Sequence, residues 1–307
     1  MSDFCRCWDI HRTTHWRWVT GRYALRRAAA NRISETVRQK IVEIDRRNRS
    51  SWDCRAIAYI VGVSAASVAK ILAEVRGPRP KRAKVPHDRR TSFLRRDVMW
   101  SSDFMELPGK RWLIKTIDEA SRFRLGWEVI RAQTAEAAVA HAKDIMTRMG
   151  RAPLVWKFDH GSAFMSERFQ ALLAENRITG YATPPRAPWA NGRVERDHQE
   201  IQNWILPLAW QTLSDEELGR EVDEGMLMLN FIKPRAVLGY QRSAAVYFGL
   251  RGAEGIDRAE LAKQIGINSK ERNHRKAVRK ALQEFGLYRE WTEREGVNRA
   301  LASNVAA

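Results

Sequence analysis

LVWKFDHGSAFMSERFQALLAENRITGYATPPRAPWANGRVER, residues 154–196, decides the fold. Pro153 precedes a short apolar and aromatic run, Leu154–Phe158, which closes on Asp159-His160-Gly161 and reads as a strand. Ser166–Asn176 reads as a short helix with Phe169, Leu172 and Leu173 on one face. Ile178–Ala182 reads as a further strand, and a second helix runs over Asn191–Ile205. Strands alternating with helices imply a sheet covered by helices. Upstream, Val98–Leu107, Trp112–Asp118 and Phe123–Ile130 are aromatic or β-branched runs separated by turn-like PGK and EASR, which predicts three antiparallel strands. Thr134 is placed to cap a helix through Met149, with Ala138, Ile145 and Met149 apolar. The expectation is an α/β domain over residues 98–212, a five-stranded mixed sheet flanked by helices.

Three acids stand where this pattern places them at strand or helix ends. Asp103 lies in MWSSDF, Asp159 closes LVWKFD, and Glu195 falls in the first turns of the helix from Asn191. Between them lie 55 and 35 residues. A single acid at a strand end is ordinarily just solvated. Three converging carboxylates would repel one another and raise their pKa values. Hard divalent cations relieve that repulsion, and all-oxygen ligation favours Mg²⁺, with Mn²⁺ as a substitute. Two such ions per site support phosphoryl transfer.

The rest of the chain points to a polyanion. The formal charge is +18, and residues 1–100 hold 23 Lys and Arg against 9 Asp and Glu. A basic first third on a nearly balanced remainder suggests nucleic acid as partner. Residues 31–76 predict a helix-turn-helix, with Ser34, Asp53 and Ser64 as N-caps and Gly62 in the turn. Its outward residues, Ala66, Ser67, Lys70 and Arg76, would face the major groove. A helical hairpin with merely solvated charges is the blander alternative. Residues 1–30 read as a basic arm, in which Cys5, Cys7, His11 and His15 are spaced too tightly for a usual zinc knuckle. Residues 77–97 read as a basic linker able to lie along phosphates, and residues 213–307 as a mostly helical tail with the basic run Lys270–Lys280. Only three cysteines are present, and no apolar run approaches a spanning helix. An intracellular, cytoplasmic or nucleoid-associated protein without a membrane is expected.

The blocks WSSD (100–103), IDEASRFRLGW (117–127), FDHGSAF (158–164) and PPRAPWANGRVER (184–196) resemble the Asp-Asp-35-Glu transposase/integrase family. NFIKPRAVLGY (230–240) resembles the segment that follows the core in bacterial insertion-sequence transposases. The resemblance implies a ribonuclease-H-like core in which Asp103, Asp159 and Glu195 ligate two Mg²⁺ ions. It also implies cleavage of element ends in double-stranded DNA and joining of the 3′-hydroxyl to target DNA, by a homo-oligomer with or without an accessory protein. Asn191 and Gly192 would shape the turn into the catalytic helix. The family's common Asn after the second acid is His160 here, and its Lys or Arg seven residues after the Glu is Gln202. Arg186, Arg193 and Arg196 are the expected substitutes as DNA contacts, with Asn191 beside Glu195. Asp118 is expected to support the sheet or pair with Arg122, and His160 and His198 to be structural or DNA-contacting. Two rival readings stay open: a DNA-binding regulator or target selector that no longer transposes, and a nuclease that only hydrolyses.

Overall fold

The structure is a computed structural model and describes residues 33–76, 89–107, 109–184, 192–205, 208, 213–270 and 273–292. The basic arm with Cys5, Cys7, His11 and His15 lies outside the described residues, as do most of the linker, Arg186 and Asn191.

Three helices come first: α1 (Glu35–Arg47), α2 (Cys54–Val61) and α3 (Ala65–Arg76). The expected caps are in place. Ser34 Oγ accepts from Val37 N (3.3 Å), Asp53 Oδ1 from Arg55 N and Ala56 N (2.9 and 3.0 Å), and Ser64 Oγ from Ser67 N (3.0 Å). Gly62 ends α2 at φ +76°, a left-handed conformation that glycine adopts at little cost, and α3 leaves at a bend of 115°.

The sheet contains β2 (Met99–Leu107), β3 (Arg111–Asp118), β4 (Arg124–Ile130), β5 (Val155–Phe158) and β6 (Thr179–Ala182), in the order β4-β3-β2-β5-β6. β1 lies outside it and is described below. β2, β3 and β4 form an antiparallel meander, and β5 and β6 join parallel to β2. The strands fall within a residue of their expected limits. α4 (Ala135–Met149), capped by Thr134, together with α5 (Ser162–Met165) and α6 (Glu167–Glu175), buries Ala142, Ile145, Phe164 and Phe169 on one face against Trp100, Ile114 and Trp156. α7 (Gly192–Ile205) and α8 (Asp215–Phe231) cover the other. This is the mixed α/β architecture the alternation implied.

Two stretches make long-range contacts that local pattern does not show. α1–α3 are not a bead on a string. Ile41, Trp52, Ile57 and Val68 share one apolar cluster with Met105, Leu113, Trp204 and Met226 of the sheet and its helices. Arg49 reinforces this contact, stacking 4.3 Å above Trp204 and pairing with Glu221 at 2.7 Å. The linker also ends in structure: β1 (Arg89–Phe93) pairs antiparallel with β9 (Tyr288–Thr292), so the tail is not helical throughout. A buried apolar face and unpaired strand edges both lower their free energy by finding partners, and neither partner is visible in local periodicity.

Between α8 and β9 the tail holds a two-stranded hairpin, β7 (Pro234–Arg235) with β8 (Gln241–Arg242), then α9 (Ser243–Gly249), α10 (Arg258–Ser269) and α11 (His274–Glu284). α11 carries much of the basic run, but Ala277, Val278, Ala281 and Leu282 are buried on one side of it. His274 hydrogen-bonds the Gly180 carbonyl of edge strand β6 (2.9 Å). At the opposite edge, the Asn230 amide pairs with both backbone groups of Arg124 (2.9 and 3.0 Å), completing β4 as a neighbouring strand would.

Candidate active site

In the parallel β2–β5 pair, Ser101 lies opposite Lys157. Asp103 and Asp159 each stand two residues further on, so the sheet carries both acids to the same level. Asp159 leaves β5 at its C-terminal end, and its Oδ1 accepts from Gly161 N (2.9 Å). A Cβ on Gly161 would lie 2.9 Å from that oxygen, so the glycine makes room for the carboxylate. Glu195 projects, exposed, from the first turn of α7.

Electrostatics ties the three together. Burial, and then the charges of Asp159 and Glu195, push the Asp103 carboxyl up to about 7, against the opposing pull of Lys115. Burial is the larger cause, and the two neighbouring carboxylates add to it in the direction expected of like charges. The donors are all oxygens, as a hard divalent cation requires. Among the described residues, no three His, Cys, Asp or Glu side chains yet gather closely enough to grip one ion. α7 brings His198 Nε2 to 3.9 Å from Asp103 Oδ2. Burial, with the Lys115 cation, holds His198 down to about 3, so its ring is neutral near pH 7.

Two buried ion networks fix α7 on either side of Glu195. In one, Glu119 takes Lys157 (3.3 Å), Arg193 (2.7 Å) and the Ser101 hydroxyl (2.5 Å). Burial alone would raise Glu119, but Lys157, Arg193 and Arg122 outweigh it and hold the carboxyl far below its usual range. In the other, Asp197 takes Lys115 (2.5 Å) and Arg124, while Glu200 takes Arg124 (3.2 Å), Arg235 (2.6 Å) and Lys233 (3.3 Å). Lys233 and Arg235 come from the block after the core. Their ion pairs with Glu200 tie that block to α7.

Several expected DNA contacts have other duties. Arg193 is not free for phosphate: besides Glu119 it donates to the Thr91 carbonyl and to Thr91 Oγ1 (2.6 Å), joining α7 to β1. Arg76 turns inward to buried Asp45 (3.0 Å) and the Ser50 carbonyl (3.3 Å), because α3 ends against α1 rather than in open solvent. Ser67 is half-buried, its hydroxyl 2.8 Å from Ser64 Oγ. Lys70 and Arg196 are exposed as expected. Asp118 does support the sheet end, accepting from Asp97 N (2.9 Å), Ser121 N (2.9 Å) and the Ser121 hydroxyl (2.7 Å). Arg122 bonds the Glu119 carbonyl (2.6 Å) instead of the Asp118 side chain. His160 is exposed. The sequence reading missed Lys115, Lys157, Glu119 and Asp197. A signal existed in the two lysines set inside the apolar runs RWLIKTID and LVWKF, where an unpaired charge would be costly.

Sheet order, the three-strand meander followed by parallel β5 and β6, and acids on adjacent central strands define a ribonuclease-H-like α/β core. Residues 94–188, less than half the chain, match the family model described as integrase core domain, a span that includes Asp103 and Asp159 and stops short of Glu195. Similar solved structures include the catalytic core domain of BIV integrase (18% identity, 50% of this chain and 94% of that one, TM-score 0.42). The HTLV-2 integrase catalytic core domain in complex with magnesium is similar at 18% identity (50% and 99% covered, TM-score 0.42). The simian T-cell lymphotropic virus intasome is similar at 16% identity (67% and 74% covered, TM-score 0.47). No curated protein matches the chain. Among the described residues, no single helix is long and apolar enough to cross a membrane.

Proposed function

We propose that this chain is a divalent-metal-dependent DNA transposase or integrase. The observation that carries the reading is the coupling of Asp103 to Asp159 and Glu195: one buried carboxyl feels the charge of two others separated from it by long stretches of chain. Asp103 and Asp159 would hold one side of the scissile phosphate's cation site from the rigid sheet, and Glu195 would close it from α7. Mg²⁺ or Mn²⁺, two ions when bound, would offset the carboxylate repulsion and polarise the phosphodiester. A water oxygen would first attack the phosphorus at the element end, releasing a 3′-hydroxyl. That hydroxyl would then attack a target phosphodiester, forming one P–O bond as the target's own 3′-oxygen leaves. The protein contributes positioning and charge stabilisation and forms no covalent intermediate.

DNA would be held by Lys70 on α3 and Arg196 on α7, both exposed. The docking of α1–α3 on α7 and α8 supports a fixed geometry between end recognition and the catalytic helix. Two element ends on one target imply a homo-oligomer on DNA. Asp159→Asn and Glu195→Gln should each reduce strand joining in Mg²⁺ to background, on a duplex carrying the correct end. Joining that survives undiminished would overturn the metal assignment and return the chain to the reading of a DNA-binding regulator.

A further inference from the structure

Two aromatic rings meet at the surface where α2 comes up against the β7–β8 hairpin. Tyr59 of α2 and Tyr240, the residue before β8, lie nearly parallel, with 9° between their planes and 4.9 Å between ring centroids. Tyr240 is half-buried, but Tyr59 is 59% exposed, so much of its ring stays open to water. Tyr240 holds its place from a left-handed backbone conformation, φ +65°, which a residue with a Cβ adopts only at a cost. The hairpin beneath it is fixed: Tyr240 N donates to the Arg235 carbonyl (2.8 Å), and Arg235 pairs with Glu200 of α7 (2.6 Å). α2 is already held without the stack, since Trp52 and Ile57 are buried in the cluster shared with the sheet and its helices.

Charge around the rings is positive. Arg55 stands one helical turn before Tyr59 on the same side of α2, and Arg242 follows Tyr240 in β8. Both arginines are exposed, and neither makes an ion pair among the described residues. α2 carries no acid of its own, and its N-cap Asp53 is occupied by the Arg55 and Ala56 amides. An open aromatic face flanked by unpaired guanidinium groups suits a ligand with a flat π-system and a negative charge beside it. A nucleotide out of the duplex is such a ligand, whereas a paired base has its faces covered by its neighbours.

We propose that the Tyr59–Tyr240 stack is a platform for an unpaired nucleotide of DNA, with the base laid on Tyr59 and its flanking phosphates taken by Arg55 and Arg242. The inference rests on the chain acting at DNA ends, where cutting a strand removes a stacking neighbour and lets the terminal base leave the duplex.

The test is equilibrium binding of the full chain to a short oligodeoxythymidine strand carrying one central 2-aminopurine, beside a mixed-sequence duplex of equal length, with thermal unfolding of each variant. Wild-type binding should quench the 2-aminopurine fluorescence as the base stacks. Tyr59→Ala should weaken single-strand binding about five- to a hundredfold, the worth of one stacked base, and leave duplex binding unchanged. Tyr59→Phe, which keeps the ring, should behave as wild type. Arg55→Ala and Arg242→Ala should each lower the single-strand salt slope by about 0.7. Unchanged single-strand affinity in Tyr59→Ala, a loss shared equally by the duplex, or an unaltered slope in both arginine variants would overturn the proposal. Tyr240→Ala should follow Tyr59→Ala; if it fails to fold, Tyr59→Ala, at an exposed helix position, decides alone. A wild-type chain that binds neither oligonucleotide sinks the DNA reading itself, whereas duplex binding without 2-aminopurine quenching sinks only the platform.

Discussion

Arg193 reaches from the first turn of α7 to Glu119, just past the end of β3, 2.7 Å away, and so holds α7 against the sheet. The same guanidinium clamps Thr91 of β1. Arg193→Ala should therefore act on folding rather than on DNA affinity. Glu119 would keep Lys157 and Arg122, so the expected loss is about 1–3 kcal/mol, read from denaturant unfolding. The salt dependence of DNA binding should not change, because no phosphate contact is removed.

Lys70 and Arg76 lie on the same helix and should separate in the opposite manner. Lys70→Ala should leave stability unchanged and reduce the salt slope of DNA binding by about one. Arg76→Ala should strip the cation from buried Asp45, leaving it only the Ser50 hydroxyl, and lower stability, with a slope like that of wild type. Binding isotherms over a range of salt, paired with unfolding curves, check both.

Acid sensitivity should come in part from His141. It is buried on α4, within 3.0 Å of Thr116 Oγ1, in a chain that continues through Ser102 (2.7 Å) to the Trp156 indole (2.7 Å). Burial holds its pKa down to about 3, against 6.5 for an unperturbed imidazole. Well above pH 6.5 the ring is neutral in both states and contributes no pH dependence. As pH falls from 6.5 toward 3, the unfolded chain takes up a proton that the folded chain refuses, and stability drops by up to about 1.4 kcal/mol per unit. Asp103 works in the other direction, since a raised carboxyl gains stability as pH falls below about 7. His141→Gln should flatten the acid loss in urea unfolding measured across this window.

Gly161→Ala should be tolerated by the fold and not by the site. Its backbone lies in an ordinary conformation, but the new methyl would meet Asp159 Oδ1 at 2.9 Å and turn that carboxylate aside. Thermal stability should stay near wild type, while Mn²⁺ affinity and strand joining fall together.

Local pattern was enough for the sheet and its helices. The aromatic and β-branched runs in residues 98–130 and the cap at Thr134 place the strands and α4 to within a residue or so, because capping and strand preference act over a few neighbours, while α5 was not foreseen. Asp159 and Glu195 could be picked out by their positions at a strand end and in the first turn of a helix; Asp103 reads as a strand-end acid but lies in the middle of β2, opposite Lys115. The roles of Arg193 and Arg76 could not, because an arginine on a helix surface and one folded onto a buried acid look alike in one dimension.

The sequence by itself determined the order of elements, the candidate acids and the basic first third. Only tertiary structure decided that α1–α3 dock on α7 and α8, that β1 finds β9 with the whole five-stranded sheet lying between them in sequence, and that the lysines within β3 and β5 are neutralised by Asp197 and Glu119. Hydrogen-bonding and capping preferences are settled between near neighbours. The partner of a buried charge or an unpaired strand edge is chosen by which distant surface folding brings within reach, and burial makes the wrong choice too costly to persist.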